Sequence, residues 1–271
     1  MSQRIPAILL ALIVVAFLTA PASSEDEEKP RQEVSEPAVP DAPDVEQLGG
    51  PGAKSGPAPV ALPVYTPPKP VRGSYPRHLT GLGARSPGSA RPEFRVFALA
   101  PNHLGVTIRE QPTLYWYLEQ DSDIPVDFTL IDDKAADPLL EIAYPPPLLA
   151  GYHAVDLAEH GFRLETGVTY EWTATLVMGE RQVHPTISVG FLERRQPDPD
   201  LDRELAEAGA GGTVSVYASR GLWYEAFDDA TRRIAASPSD RSPRLQRAAL
   251  LYQVGLTPVA DHERHTANIS P

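Results

Sequence analysis

The feature that most constrains this chain is a two-residue alternation of apolar and polar side chains that recurs through residues 93–195. Within residues 113–118, for example, Leu114, Trp116 and Leu118 occupy every second position. Such alternation is typical of strands that bury one face, and turn residues separate the stretches. Eight stretches carry the pattern or a shorter form of it: 95–99, 106–108, 113–118, 126–130, 139–142, 152–157, 170–178 and 186–191. We therefore predict a mainly β chain built on an immunoglobulin-like antiparallel β-sandwich.

Two aromatic residues fit the interior of such a sandwich. Tyr170 follows the Thr166-Gly167 turn at the start of a late strand, which is where a tyrosine corner is found. Trp116 lies on an earlier strand, at a place suited to a central buried tryptophan. We interpret both residues as stabilising the sandwich. The alternative is that Trp116 or Trp172 faces outward and stacks on a sugar or a peptide.

The opposite face of the same strand offers better candidates for ligand binding. Tyr115 and Tyr117 alternate with Trp116, so they point away from it. If that face is open to solvent, its two tyrosine rings form a surface on which a sugar or peptide can stack. Tyr115 and Tyr117 are therefore our candidate ligand-binding residues.

Further along the chain the apolar period changes to 3.6 residues, which predicts helices in the region 196–256. The clearest apolar stripe consists of Leu222, Trp223, Ala226, Phe227, Ala230 and Ile234. A second stripe ends just before Gly255, so we predict a C-terminal α-helical hairpin whose aromatic stripe docks on the sandwich. Trp223 and Tyr224 are candidate partner-binding residues. Residues 257–271 are expected to form a flexible tail.

The N-terminal third predicts export followed by a long linker. Residues 1–22 have the pattern of a signal peptide, with Arg4 before an apolar run and small residues at a cleavage site. The run is shorter than the about 20 residues that a spanning helix needs, so we expect cleavage and no integral membrane span afterwards. Residues 23–92 are proline-rich, and we expect them to be disordered. They carry nine acids and two bases up to residue 48, and six bases and no acid from 49 onward. This basic arm either contacts an anionic envelope polymer or lipid, or is merely solvated.

Several kinds of chemistry have no residues to support them. The chain has no cysteine, which excludes disulfides, a thiol nucleophile and thiolate-bound zinc. Its net charge of -12 argues against nucleic acid as a partner. Gly-x-Ser-x-Gly, the P-loop, His-Glu-x-x-His and Gly-x-Gly-x-x-Gly are all missing from the sequence. We therefore name no catalytic residue and expect neither a cofactor nor a metal.

Three aromatic motifs resemble those of a bacterial family of unknown function, domain-of-unknown-function family 928. They are Pro112-Thr113-Leu114-Tyr115-Trp116-Tyr117, the segment from Leu164 to Trp172, and Gly221-Leu222-Trp223-Tyr224-Glu225-Ala226. The resemblance covers roughly residues 70–256. It implies an exported protein with a β-rich body and a helical end. It brings no known activity, cofactor or catalytic residue.

These observations favour an exported, non-enzymatic interaction or adaptor module of the bacterial periplasm or envelope. Its partner would be an envelope protein or an anionic cell-wall polymer. One alternative is a carbohydrate- or cell-wall-binding module that uses Tyr115 and Tyr117. A second alternative is a hydrolase with a dispersed pair of acidic residues, since the chain contains many carboxylates and no motif singles out two of them.

Overall fold

A computed structural model describes residues 60–69, 95–132, 137–177 and 186–269. The predicted signal peptide lies outside these residues, as does most of the predicted proline-rich linker. Within the described part the chain first forms eight strands and then four helices. The protein is therefore mainly β with a helical end, as its sequence predicts.

The strands form two sheets. Their bounds are β1 Val96–Ala98, β2 Gly105–Thr107, β3 Thr113–Leu118, β4 Val126–Asp132, β5 Leu140–Tyr144, β6 Gly151–Asp156, β7 Thr169–Leu176 and β8 Thr186–Arg194. One sheet has three strands in the order β1-β3-β6, and the other has five in the order β2-β8-β7-β4-β5. The pairs are antiparallel except for β2 with β8, which run parallel.

The alternation in the sequence becomes alternating burial in the five-stranded sheet. In β7, buried Tyr170, Trp172, Ala174 and Leu176 alternate with half-buried neighbours. The Trp172 indole packs directly against Gly190 of the neighbouring strand β8, where an added Cβ would lie 2.5 Å from the ring. Only glycine leaves room for the ring at this position.

The helical end contains four helices where the sequence predicts a hairpin. They are α1 Leu201–Ser219, α2 Trp223–Ala236, α3 Arg241–Gln253 and α4 Thr257–Ile269. The backbone of α1 is interrupted at Gly209, whose φ of 61° is not helical. The predicted flexible tail is replaced by α4, which packs along α3. The prediction failed here because the buried side of α4 includes Glu263, a charged residue that interrupts its apolar stripe.

Both sheets and the helices contribute to one apolar core. Trp116 and Tyr170 are buried in it, in keeping with the stabilising role proposed for them, and Trp172 is fully buried rather than facing outward. Tyr65 belongs to the same cluster, although the sequence places it in the linker. The expectation of disorder therefore does not hold for residues 60–69, which lie against the helical end.

No helix in the described ranges is both long and apolar enough to cross a bilayer.

Candidate interaction site

The face of β3 that carries Tyr115 and Tyr117 is covered by helices. The two side chains are only 8% and 4% exposed. The Tyr115 hydroxyl donates a hydrogen bond to Asp228 on α2 (2.8 Å), and the Tyr117 ring lies 5.7 Å from that of His262 on α4. Ligand binding at these two tyrosines required a face open to solvent, and this condition is not met because α2 and α4 dock on the face. The buried rings offer no surface on which a sugar can stack.

Trp223 and Tyr224, the candidate partner-binding residues, anchor α2 inside the protein. The Trp223 indole donates to the Leu99 carbonyl (3.2 Å), and the Tyr224 hydroxyl donates to the Phe191 carbonyl (3.0 Å). Burial raises the pKa of Tyr224 well above its ordinary value, so its hydroxyl stays protonated. The aromatic stripe of α2 thus docks on the sheets, as predicted, and Trp223 also contacts the segment described next.

Residues 60–69 form an extended strap that crosses the helical end. Pro63 and Tyr65 are buried. Leu62, just before Pro63, is 55% exposed, and Val64, between the two buried residues, is 70% exposed. Buried and exposed side chains therefore alternate over residues 62–66, as in an edge strand or a bound peptide. The strap forms no ladder with a strand, and its backbone hydrogen bonds go to the helices.

Two glutamines of α3 bind the backbone of the strap. The side-chain amide of Gln253 is used at both atoms: Oε1 accepts from the Tyr65 N–H (2.7 Å) and Nε2 donates to the Pro63 carbonyl (2.9 Å). Gln246 donates to the Ala61 carbonyl (3.2 Å). Gln246 and Gln253 are seven residues apart, about two helical turns, so both side chains project from the same face of α3.

The end of α1 supplies a further backbone contact. The Thr66 N–H donates to the carbonyl of Ala218 (3.0 Å) in the last turn of that helix, and the same carbonyl also accepts from the Gly221 N–H (3.0 Å). Gly221 follows, with a φ of +73°. A Cβ on Gly221 would lie 2.8 Å from the Thr66 carbonyl oxygen, so only glycine allows the strap this close. We call the surface formed by His103, Ala218, Gly221, Trp223, Gln246 and Gln253 the strap groove.

The Tyr65 side chain fills a pocket at the centre of the strap groove. Its ring meets Trp223 edge-on at 5.4 Å between centroids and stacks on His103 at 5.7 Å. Its hydroxyl lies 2.9 Å from His103 Nε2, at hydrogen-bond distance. Burial raises the pKa of the Tyr65 phenol far above its ordinary value, so the group binds as a neutral hydroxyl.

The most buried charges of the helical end serve its packing. Glu263 of α4 accepts hydrogen bonds from Arg247 (2.6 Å) and from the Tyr152 hydroxyl of β6 (2.8 Å). The Arg247 guanidinium also lies 3.8 Å from the centre of the Tyr152 ring. Arg244 completes the group at 3.4 Å from Glu263. These contacts tie α3 and α4 to the three-stranded sheet.

The acidic residues of α2 are held in the same way. Asp228 lies 2.5 Å from Arg109 and 3.0 Å from Arg232. Glu225 accepts from the Thr107 hydroxyl (2.6 Å), and burial raises the pKa of its carboxyl. Both carboxylates are buried in the interface with β2 and β3, so this pair is not placed to act on a substrate. The hydrolase alternative gains no support from it.

A small cleft of about 160 Å³ opens beside the C-terminal end of the strap. Five apolar and four polar residues line it. The apolar ones are Pro68, Val106, Ile108, Leu201 and Leu222, and the polar ones are Arg195, Gln196, Asp198 and Arg220. Asp198 supplies its one carboxylate and is paired with Arg220 at 3.0 Å, so this cleft does not contain the two acids that glycoside hydrolysis uses. Among the described residues, no group of three or more acidic or histidine side chains is placed to hold a metal ion.

The protein thus combines a β-rich body with a helical end, and its own strap lies against that helical end. The model of the family described as Domain of Unknown Function DUF928 matches residues 80–264. The chain therefore belongs to the DUF928 family, as its aromatic motifs indicate. No curated protein matches the chain significantly. The residues of the strap groove lie within the matched range, whereas the strap precedes it.

The strap and its glutamines are the features that the sequence did not reveal. Gln246 and Gln253 are polar residues on a predicted helix, and nothing in their spacing marks them as backbone ligands. A signal for the strap was present, because Val60, Leu62 and Tyr65 bring large apolar side chains together within the linker. Such a cluster in a proline-rich segment indicates docking.

Proposed function

We propose that this protein is an exported, non-enzymatic interaction module of the bacterial periplasm or envelope, and that the strap groove is its binding site for polypeptide. One observation carries the proposal: the helical end holds an extended segment through its backbone. Gln246 and Gln253 contact main-chain atoms, which every polypeptide has, and Tyr65 adds one side-chain anchor. Recognition of this kind is typical of domains that bind extended peptides.

The composition of the strap suits a ligand of such a groove. Prolines limit the conformations of the free segment, so less conformational entropy is lost on binding. Pro63 has no N–H, so its burial leaves no backbone donor without a partner. The groove binds backbone atoms, which favours an envelope protein as the partner over an anionic cell-wall polymer.

We further propose that the two sheets form an immunoglobulin-like sandwich that serves as the scaffold. The strand orders β1-β3-β6 and β2-β8-β7-β4-β5 support this, as does the parallel pairing of β2 with β8. The Tyr170 hydroxyl accepts a hydrogen bond from the Glu165 N–H (2.9 Å), as the hydroxyl of a tyrosine corner bonds to nearby backbone. A rigid scaffold of this kind would carry the helices without taking part in chemistry.

A peptide-binding measurement on the full chain tests the proposed function. Tyr65→Ala weakens the chain's own strap, and a fluorescently labelled peptide of residues 60–69 is then added. We expect saturable binding by fluorescence anisotropy, and its loss when Gln253→Ala is added. Gln120→Ala, on an exposed residue away from the strap groove, is the control and should not change the affinity. Failure of the peptide to bind the Tyr65→Ala chain would contradict the proposal.

Export is tested separately, by the mass of the mature protein and its cellular fraction. Cleavage near residue 22 and recovery from the periplasm or medium are expected. An intact N-terminus in the cytoplasm would refute export and leave the peptide-binding measurement unaffected.

A further inference from the structure

We propose that the strap groove is selective for segments that contain Pro-x-Tyr, and that His103 and Trp223 are the residues that select tyrosine. This inference rests on the proposed function and names the chemical class of its ligand. The partner is a different polypeptide that presents an extended Pro-x-Tyr segment, for which the strap of the same chain competes. The argument follows from which atoms of the strap the protein contacts and which it leaves in solvent.

The spacing of the motif comes from the burial of the strap. Pro63 and Tyr65 face the protein, while the side chains of Leu62 and Val64 point to solvent and are not contacted by a specific partner. Substitutions at the two exposed positions should therefore matter little. At position 63 the carbonyl is bound by Gln253, and proline brings no N–H that would need an acceptor in this buried place.

The choice of tyrosine comes from the pocket. Trp223 and His103 contact the ring on two sides, which requires a flat aromatic side chain. The hydroxyl reaches His103 Nε2 at 2.9 Å, so phenylalanine fills the pocket but forfeits this hydrogen bond. His103 is half-buried, and water can replace part of the lost bond, which keeps the discrimination moderate.

The experiment compares three labelled peptides of residues 60–69 in trans: the native sequence, Tyr65→Phe and Tyr65→Ala. The acceptor is the full chain carrying Tyr65→Ala, with and without His103→Leu. For the acceptor that retains His103, the Phe peptide should bind about two- to ten-fold more weakly than the native one, the equivalent of one hydrogen bond. The Ala peptide should show no measurable binding, and His103→Leu should make the Tyr and Phe peptides bind alike.

His160→Leu is the matched control, because His160 is an exposed histidine in the turn after β6. It should leave the preference for tyrosine intact. The peptide substitutions alter no residue of the acceptor, so they test selectivity even if His103→Leu prevents folding.

The outcomes separate this inference from the proposed function. If no peptide binds any acceptor, the peptide-binding function itself fails. If the Tyr and Phe peptides bind equally to the acceptor that retains His103, selectivity is overturned while peptide binding stands. If the wild-type chain forms a concentration-dependent dimer that Tyr65→Ala abolishes, the assignment to a different polypeptide is overturned, because a second copy then fills the groove.

Discussion

Removing the charge of Glu263 should destabilise the protein by breaking the buried ion pair that docks α4. Its side chain is 1% exposed and that of its partner Arg247 is 4% exposed. Glu263→Gln keeps the shape of the side chain and an oxygen for the Tyr152 hydroxyl. It leaves the Arg247 guanidinium buried without a counter-charge, although still over the Tyr152 ring.

The magnitude follows from the burial of both partners. Breaking a buried pair by removing one charge costs about 3–5 kcal/mol. The retained hydrogen-bonding oxygen places Glu263→Gln at about 3 kcal/mol, which lowers the Tm of a domain this size by about 6–12 °C. Arg247→Met should cost a similar amount. The double variant should lose less than the sum of the two, by about 1 kcal/mol or more, because the buried charge of Arg247 is gone and only the more exposed Arg244 is left without its acid.

Urea unfolding followed by tryptophan fluorescence measures this effect, since Trp116, Trp172 and Trp223 are all fully buried. Glu159→Gln, on an exposed acid in the turn after β6, is the control and should stay within about 0.5 kcal/mol of wild type. A loss for Glu263→Gln no larger than that of the control would refute the reasoning. A double variant whose loss equals the sum of the two single losses would refute the coupling of the pair.

Three further predictions concern other parts of the fold. Burial raises the pKa of Glu225 above its unfolded value, so the native state loses stability as pH rises from about 4.3, the unfolded value, towards the raised one. Glu225→Gln should therefore gain stability relative to wild type as the pH of urea unfolding is raised from about 4, and a pH-independent difference would contradict this. Gly221→Ala and Gly255→Ala both place alanine at positive φ and should each lower the free energy of unfolding by about 1–2 kcal/mol. Only the alanine at position 221 would clash with the Thr66 carbonyl, so only Gly221→Ala should speed proteolysis within the strap. Equal rates of cleavage in the two variants would count against this close contact. Tyr170→Phe should cost about 1 kcal/mol, because it removes the hydroxyl that accepts the Glu165 N–H; an unchanged Tm in thermal unfolding would show that this hydrogen bond does not stabilise the protein.

The sequence was sufficient where stability depends on a local repeat. Strands β3 and β7 were predicted because alternation by itself decides which face of a strand is apolar, whatever that face packs against. The same reasoning placed Trp116 in the interior, and the 3.6-residue period likewise identified the apolar stripe of α2. The mainly β class with a helical end was therefore predictable from residues a few positions apart.

What covers each face was decided only in three dimensions. Tyr115 and Tyr117 belong to a face that the pattern leaves undefined, and α2 and α4, more than 100 residues away, bury it. The helix α4 was missed because Glu263 looks like a surface residue until Arg247 and Tyr152 are brought beside it.

The strap shows most clearly the difference between what the local sequence predicts and what tertiary contacts decide. Its own composition predicts disorder, because ten residues with three prolines form no element that could bury an apolar face alone. Its order comes from Gln246 and Gln253, nearly 190 residues further along the chain, whose amides take up its backbone groups. Sequence alone determined the periodic elements, since their free energy depends on neighbouring residues. Tertiary structure decided the binding groove, since its contacts join segments that no local pattern connects.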